Sequence, residues 1–135
     1  MISCRLALCA ESVVKDADTN SISVFNIFEE MVPSGFPFAL PKMNCLFFTE
    51  FHGEQGQIVP ASLRITWGET ELFKRPIQID FRENFTSRLI FHFHGMPIQG
   101  PGTVRVALIH EDQDIGGWSF EIREAPQPEA ETKEP

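Results

Sequence analysis

Apolar residues recur at every second position in short runs along this chain, and each run stops at a cluster of Gly, Pro, Asn, Asp or Ser. That period puts alternate side chains on opposite faces of an extended strand, and no segment sustains a helical period. The runs are about Ile2–Val14, Ile22–Met31, Met43–Phe51, Val59–Trp67, a fifth carrying Leu72 to Phe81, Thr86–His94, Thr103–His110, and a last one through Trp118, Phe120 and Ile122. Short strands and turn clusters in near-regular succession predict an all-β fold, an antiparallel β-sandwich of about eight strands, with a closed barrel as the competing architecture.

Local signals refine this pattern. The first run is apolar on both faces, with Leu6, Leu8 and Ala10 against Ala7 and Cys9, which predicts an interior strand. The turn from Lys15 to Ser21 is rich in residues that bond their own backbone. The second run is apolar on both faces too, Val24 and Phe28 opposing Phe25 and Ile27. Pro33, Gly35, Pro37 and Pro41 then forbid regular pairing and predict a crossing loop, while Pro76 predicts an edge or a bulge in the fifth strand. Pairing His94 with Thr103 as a hairpin sets Phe93, Phe91 and Leu89 opposite Val104, Val106 and Leu108, and His92 opposite Arg105. Matching Trp118, Phe120 and Ile122 to Leu108, Val106 and Val104 requires an odd connection or a bulge at Gly116-Gly117.

At 135 residues the chain fits one core, burying roughly two-thirds of its unfolded surface. Residues 1–123 are expected to form the domain and 124–135, with four Glu and one Lys, a disordered acidic tail. A net charge of -8 with scattered Lys and Arg argues against nucleic acid and membrane as partners. Leu6-Ala7-Leu8-Cys9 has the outline of a lipoprotein cleavage box, but Leu8 stands where a small residue is needed. Three cysteines without a recognisable leader predict free thiols in a soluble, cytoplasmic protein. Cys4 and Cys9 have opposite parity, so they are expected on opposite faces, and Cys45 on the face of Phe47. Thirteen Phe and no Tyr point to rings committed to the core.

Leu6 to Val13, Ile22 to Glu29, Phe38-x-Leu40-Pro41 and Gly100 to Leu108 together resemble a small uncharacterised bacterial family of unknown function. Its members typically open with an apolar strand ending Leu-Cys-Asp and a second strand reading like Leu-Ile-Gly-Val; Ala10-Glu11 and Asn26 depart from that pattern. The resemblance covers most of residues 4–123. It implies a β-sandwich in a bacterial or phage setting and carries over no activity or site residue.

Three groups of residues are candidates for function. The Pro/Gly-rich loops form one apolar, nearly uncharged end, and Phe36, Phe38, Leu40, Met96 and Ile98 are its candidate partner-binding residues, set against a plain cap on the core. The opposite, acidic end would hold Asp16, Asp18, Asn20, Asp112 and Asp114 as a calcium alternative, set against ordinary solvated turns. His92 and His94 share a strand face and raise a cupin-like metalloenzyme, but the next residues supply no carboxylate. The sequence is expected to encode a non-enzymatic protein-binding or self-assembling module that needs no cofactor. Calcium or ligand binding at the acidic end is the alternative.

Overall fold

The alternating runs become strands in the computed structural model, which describes residues 1–126. In chain order these are β1 (Ile2–Lys15), β2 (Ile22–Ile27), β3 (Glu30–Met31), β4 (Phe38–Ala39), β5 (Met43–Phe51), β6 (Ile58–Trp67), β7 (Thr70–Asp80), β8 (Thr86–Phe93), β9 (Pro97–Ile98), β10 (Gly102–His110) and β11 (Gln113–Ile122). The eight expected strands are the eight long ones. They form a four-stranded sheet, β2-β1-β5-β8, and a five-stranded sheet, β3-β11-β10-β6-β7, with β4 and β9 as a small separate ladder. All pairs are antiparallel except β3 with β11. Residues 127–135, most of the expected acidic tail, lie outside the described residues.

Period-two alternation builds the core between the sheets. Cys9, Cys45 and Phe47 from one sheet join Leu63, Ile65, Val104, Val106, Leu108, Phe120 and Ile122 from the other in one buried cluster. Burial of each large apolar side chain contributes about 1.5–3 kcal/mol. Toward the end where β5 and β7 finish, Ile2, Phe51, Val59, Ile79 and Phe81 form a second cluster. As its apolar faces suggest, β1 is interior, flanked by β2 and β5, and the Pro76 strand β7 is an edge.

Two expected registers are wrong. Strand β8 pairs with β5, placing Asn44 beside His92 and Phe47 beside Leu89, while β10 pairs with β6 and β11. The connection from His94 to Pro101 is therefore a crossing between sheets and not a hairpin. Its middle is held by β4, with Phe38 opposite Ile98. Leu89, Phe91 and Phe93 still face inward, but they meet their apolar partners across the sandwich: Phe93 meets Phe73 of β7 edge-on at 5.2 Å. In β11, Trp118 lies opposite Val106 and Phe120 opposite Val104, two residues from the expected register. A slip of two preserves which side chains face inward. The connection is a two-residue turn at Glu111-Asp112, both at positive φ, and the odd residue is absorbed by a register shift between Leu108 and Ile109.

The second run was expected to continue to Met31, but it breaks after Ile27 because the chain changes sheets. Asn26 is at φ 57, Phe28 N–H donates to Cys9 O at 2.8 Å, and Glu30 and Met31 then pair with β11 in the other sheet. The Trp118 indole N–H donates to Phe28 O at 2.5 Å, fastening the corner.

The β1–β2 hairpin is a bent arm. β1 pairs with β5 only as far as Ala10, and from Ser12 it pairs with β2 alone. Val13, Ile22 and Val24 pack with Leu8, Ala10, Leu46, Phe48 and Ile90. Leu46 and Phe48 alternate with core residues Cys45 and Phe47, so the arm lies over the outer face of the four-stranded sheet. Arg88 on β8 donates to Asn20 O at the tip, at 2.8 Å. Where β1 leaves β5, Asn44, only 3% exposed, donates its amide to Glu11 O at 3.0 Å, and its Oδ1 accepts from His92. Asn44→Ala is expected to lower the unfolding free energy in urea by about 1 kcal/mol. Faster amide hydrogen exchange should be confined to residues 11–27.

Candidate functional site

The apolar loop end exists as the Pro and Gly spacing suggested, and it is a cap. Leu40 N–H donates to Met96 O and Gly95 N–H to Leu40 O, so the two loops are laced together beside the β4–β9 pair. Trp67 at the end of β6 donates its indole N–H to Gly100 O at 3.1 Å. Leu40 and Ile98 are 2% and 1% exposed. They are core residues and have no surface for a partner, which corrects their assignment as contact residues: each faces inward from a backbone that is paired on the other loop. Phe36, Phe38 and Met96 remain half-buried and pack against the main core from its rim.

The acidic candidates do not converge. Asp16 Oδ1 accepts the N–H groups of Asp18 at 2.8 Å and Thr19 at 3.0 Å, and those bonds, Thr19 first, hold its pKa below the usual carboxylate range. Its Oδ1 is thus spent on the turn. Asp114 faces Arg105, whose Nε and Nη2 donate to it at 2.9 and 3.1 Å. Asp112 lies in the β10–β11 turn beside Glu111, while Asn20 sits at the arm tip near Arg88 and Asn84. Simple alternation of connections would have put these turns at one end; the bent arm carries the first of them across the outer face of β8. Among the described residues no group of three or more His, Cys, Asp or Glu is placed to hold a metal ion. His92 is engaged by Asn44 instead of facing Arg105, so the proposed histidine pair lacks a third ligand.

Cysteine placement is corrected at one point. A register shift between Cys4 and Leu6 reverses the parity of β1, so Cys4 and Cys9 both pack on the main core. Cys9 and Cys45 are register partners with sulfurs 3.3 Å apart in a thiol hydrogen bond. That bond and burial push the Cys45 thiol well above its ordinary pKa, which suppresses the reactive thiolate.

Two surfaces were not legible from spacing. The first is the outward row of the arm, where Val14, Phe25 and Ile27 are exposed large hydrophobics. Seen as a run, Phe25 and Ile27 looked like one face of a fully buried strand; only the bend shows that no layer covers them. The second is a cleft of about 670 Å³ near the β10–β11 turn, lined among others by Ile2, Phe51, Val59, Lys74, His110 and Glu111. There His110 Nδ1–H donates to Pro60 O at 3.1 Å, leaving Nε2 3.6 Å from the Glu111 carboxylate.

These features define a two-sheet β-sandwich with a laced apolar cap, a bent strand arm and a sheet-switching corner. The chain belongs to a family of unknown function, DUF6941, whose family model matches residues 5–123. The resemblance to an uncharacterised family is thereby borne out. No curated protein matches the chain.

Phe38→Ala is expected to cost about 2 kcal/mol in a urea melt, less than the about 3–5 kcal/mol of a fully buried phenylalanine. The Arg105–Asp114 pair has a defined pH signature. Its hydrogen bonds from Arg105 hold the Asp114 pKa below the unfolded value, so its stabilisation is present above that value and is lost as pH falls through the folded-state pKa. Urea melts of wild type and Asp114→Asn should differ at neutral pH, and the gap should close as pH is lowered from about 4.

Proposed function

We propose that the chain is a non-enzymatic module that binds protein, and first of all a second copy of itself, by strand pairing along β2. One observation carries this reading. β2 is the free edge of the four-stranded sheet, carries no charge or proline, and exposes Phe25 and Ile27 by 53% and 45%. Sheet edges are ordinarily blunted by charge, proline or brevity, because an open edge templates pairing with another chain. The other edges of this protein follow that rule: β7 carries Lys74, Arg75 and Pro76, β8 carries Arg88, and β3 is two residues long.

An added strand would satisfy the open backbone edge while the phenylalanine and isoleucine rows lose water. The partly exposed cap residues Phe36, Phe38 and Met96 are a secondary contact in this reading. A bacterial, cytoplasmic setting fits it, as do three free cysteines among the described residues.

Phe25→Lys combined with Ile27→Lys tests the proposal, because both side chains lie on the solvent side of the arm. Native mass spectrometry and light scattering should show wild type as an oligomer and the double variant as a folded monomer, whose melting temperature, unlike that of wild type, does not depend on protein concentration. A monomeric wild type, or a variant that stays oligomeric, would falsify self-pairing through β2. Phe38→Ala should lower stability without changing subunit number.

A further inference from the structure

Two thiols of the core stand where a covalent bond between them needs no movement of the strands that carry them. Cys9 and Cys45 are register partners on β1 and β5, both 0% exposed, and the Cys9 thiol donates to Cys45 Sγ at 3.3 Å. Their backbones bond away from each other. Cys9 O accepts the Phe28 N–H on the β2 side. At the far end of β5, Phe51 N–H donates to Phe85 O on the β8 side, and the two-residue alternation along the strand turns Cys45 the same way. Antiparallel partners that do not bond each other's backbone stand about 4.5 Å apart at Cα, within the about 4.4–6.8 Å that a disulfide spans.

We propose that Cys9 and Cys45 are an oxidisable pair, which a hydroperoxide converts into a disulfide that staples β1 to β5 at the root of the arm. The route in lies at that root. Ala10 is the last residue of β1 on β5, so Cys9 sits one residue from the point where the hinged arm leaves the sheet. The hydrogen bond from Cys9 and burial keep the Cys45 thiol protonated, so Cys9 reacts first, when the arm opens. Its sulfur attacks one peroxide oxygen, the O–O bond breaks, and a sulfenic acid and one water result. The Cys45 sulfur then attacks Cys9 Sγ, the S–O bond breaks, and the second water leaves with the Cys45 proton. The two sulfurs have given up two electrons and the peroxide has taken them. Cys4 has no such partner: it pairs in register with Thr49, and its thiol donates to Leu6 O at 3.3 Å. A reducing compartment keeps the pair as thiols until peroxide rises. This bridge goes beyond pairing along β2 and lies within one chain, so it stands or falls separately from that reading.

The test exposes the full chain, folded and reduced, to hydrogen peroxide, then blocks remaining thiols with a maleimide and maps the peptides by mass spectrometry. The expected product is a single chain with a Cys9–Cys45 bridge and Cys4 outside it. Its melting temperature should rise by about 5 °C or more and return to the starting value on reduction with dithiothreitol. Cys4→Ala should form the same bridge, and Cys45→Ala should form none. Cys9 and Cys45 still reduced in folded wild type after Cys4 has been oxidised would overturn the proposal. So would a bridge through Cys4, a bridge formed only in urea, or a bridge that lowers the melting temperature.

Discussion

The corner at Phe28 is the contact on which the arrangement of the two sheets depends. Its N–H stays with β1 through Cys9 O, its carbonyl takes the indole N–H of Trp118 on the opposite sheet, and its ring meets Phe120 edge-on at 5.4 Å. One residue thus belongs to both layers. A backbone that leaves one sheet exposes donors and acceptors, and a buried corner is stable only where those groups find new partners. Here they do, and Glu30 and Met31 can run beside β11. The chain is thereby delivered to the end of the sandwich where the proline-rich loop closes over Leu40 and Ile98.

A second consequence concerns the arm. Because β1 pairs with β5 only through Ala10, its distal half with β2 is free to bend, and the apolar outer face formed by Leu46, Phe48 and Ile90 gives it something to cover. Asn44 holds the point of departure. The bend buries one row of the hairpin and presents the other, so the same sequence produces both the cover and an exposed edge. On the opposite side of the molecule, strands β6, β7 and β10 bring together cations that are far apart in sequence. The molecule therefore has an uncharged apolar edge on one sheet and, on the outward rows of the other, cations interleaved with carboxylates such as Glu71 and Asp114.

Strand positions were largely legible because a period of two is a local property. Met43–Phe51 was readable to the residue, and the loop after it from its turn residues. Pairing was less legible. Leu89, Phe91 and Phe93 were correctly read as inward, yet they were matched to strand neighbours when their partners lay across the core. An apolar side chain is satisfied by either arrangement, so hydrophobic matching alone does not separate them. The parity of Cys4 was misread for a related reason: a single bulged residue reverses every inference made across it.

The sequence by itself determined that this protein is built of strands, where the long ones lie, and, between bulges, which side chains travel together on one face, since these follow from backbone alternation and the dihedral demands of Gly, Pro, Asn and Asp. Tertiary structure alone decided which strands are neighbours, that Leu40 and Ile98 are interior, that Phe25 and Ile27 are open to solvent, and that Arg64 stands opposite Lys74. The physical reason is that hydrophobic burial is non-directional. It specifies that a face must be covered, while the choice of cover rests on hydrogen bonds between residues such as Phe28 and Trp118, or Asn44 and Glu11, that lie far apart in the chain.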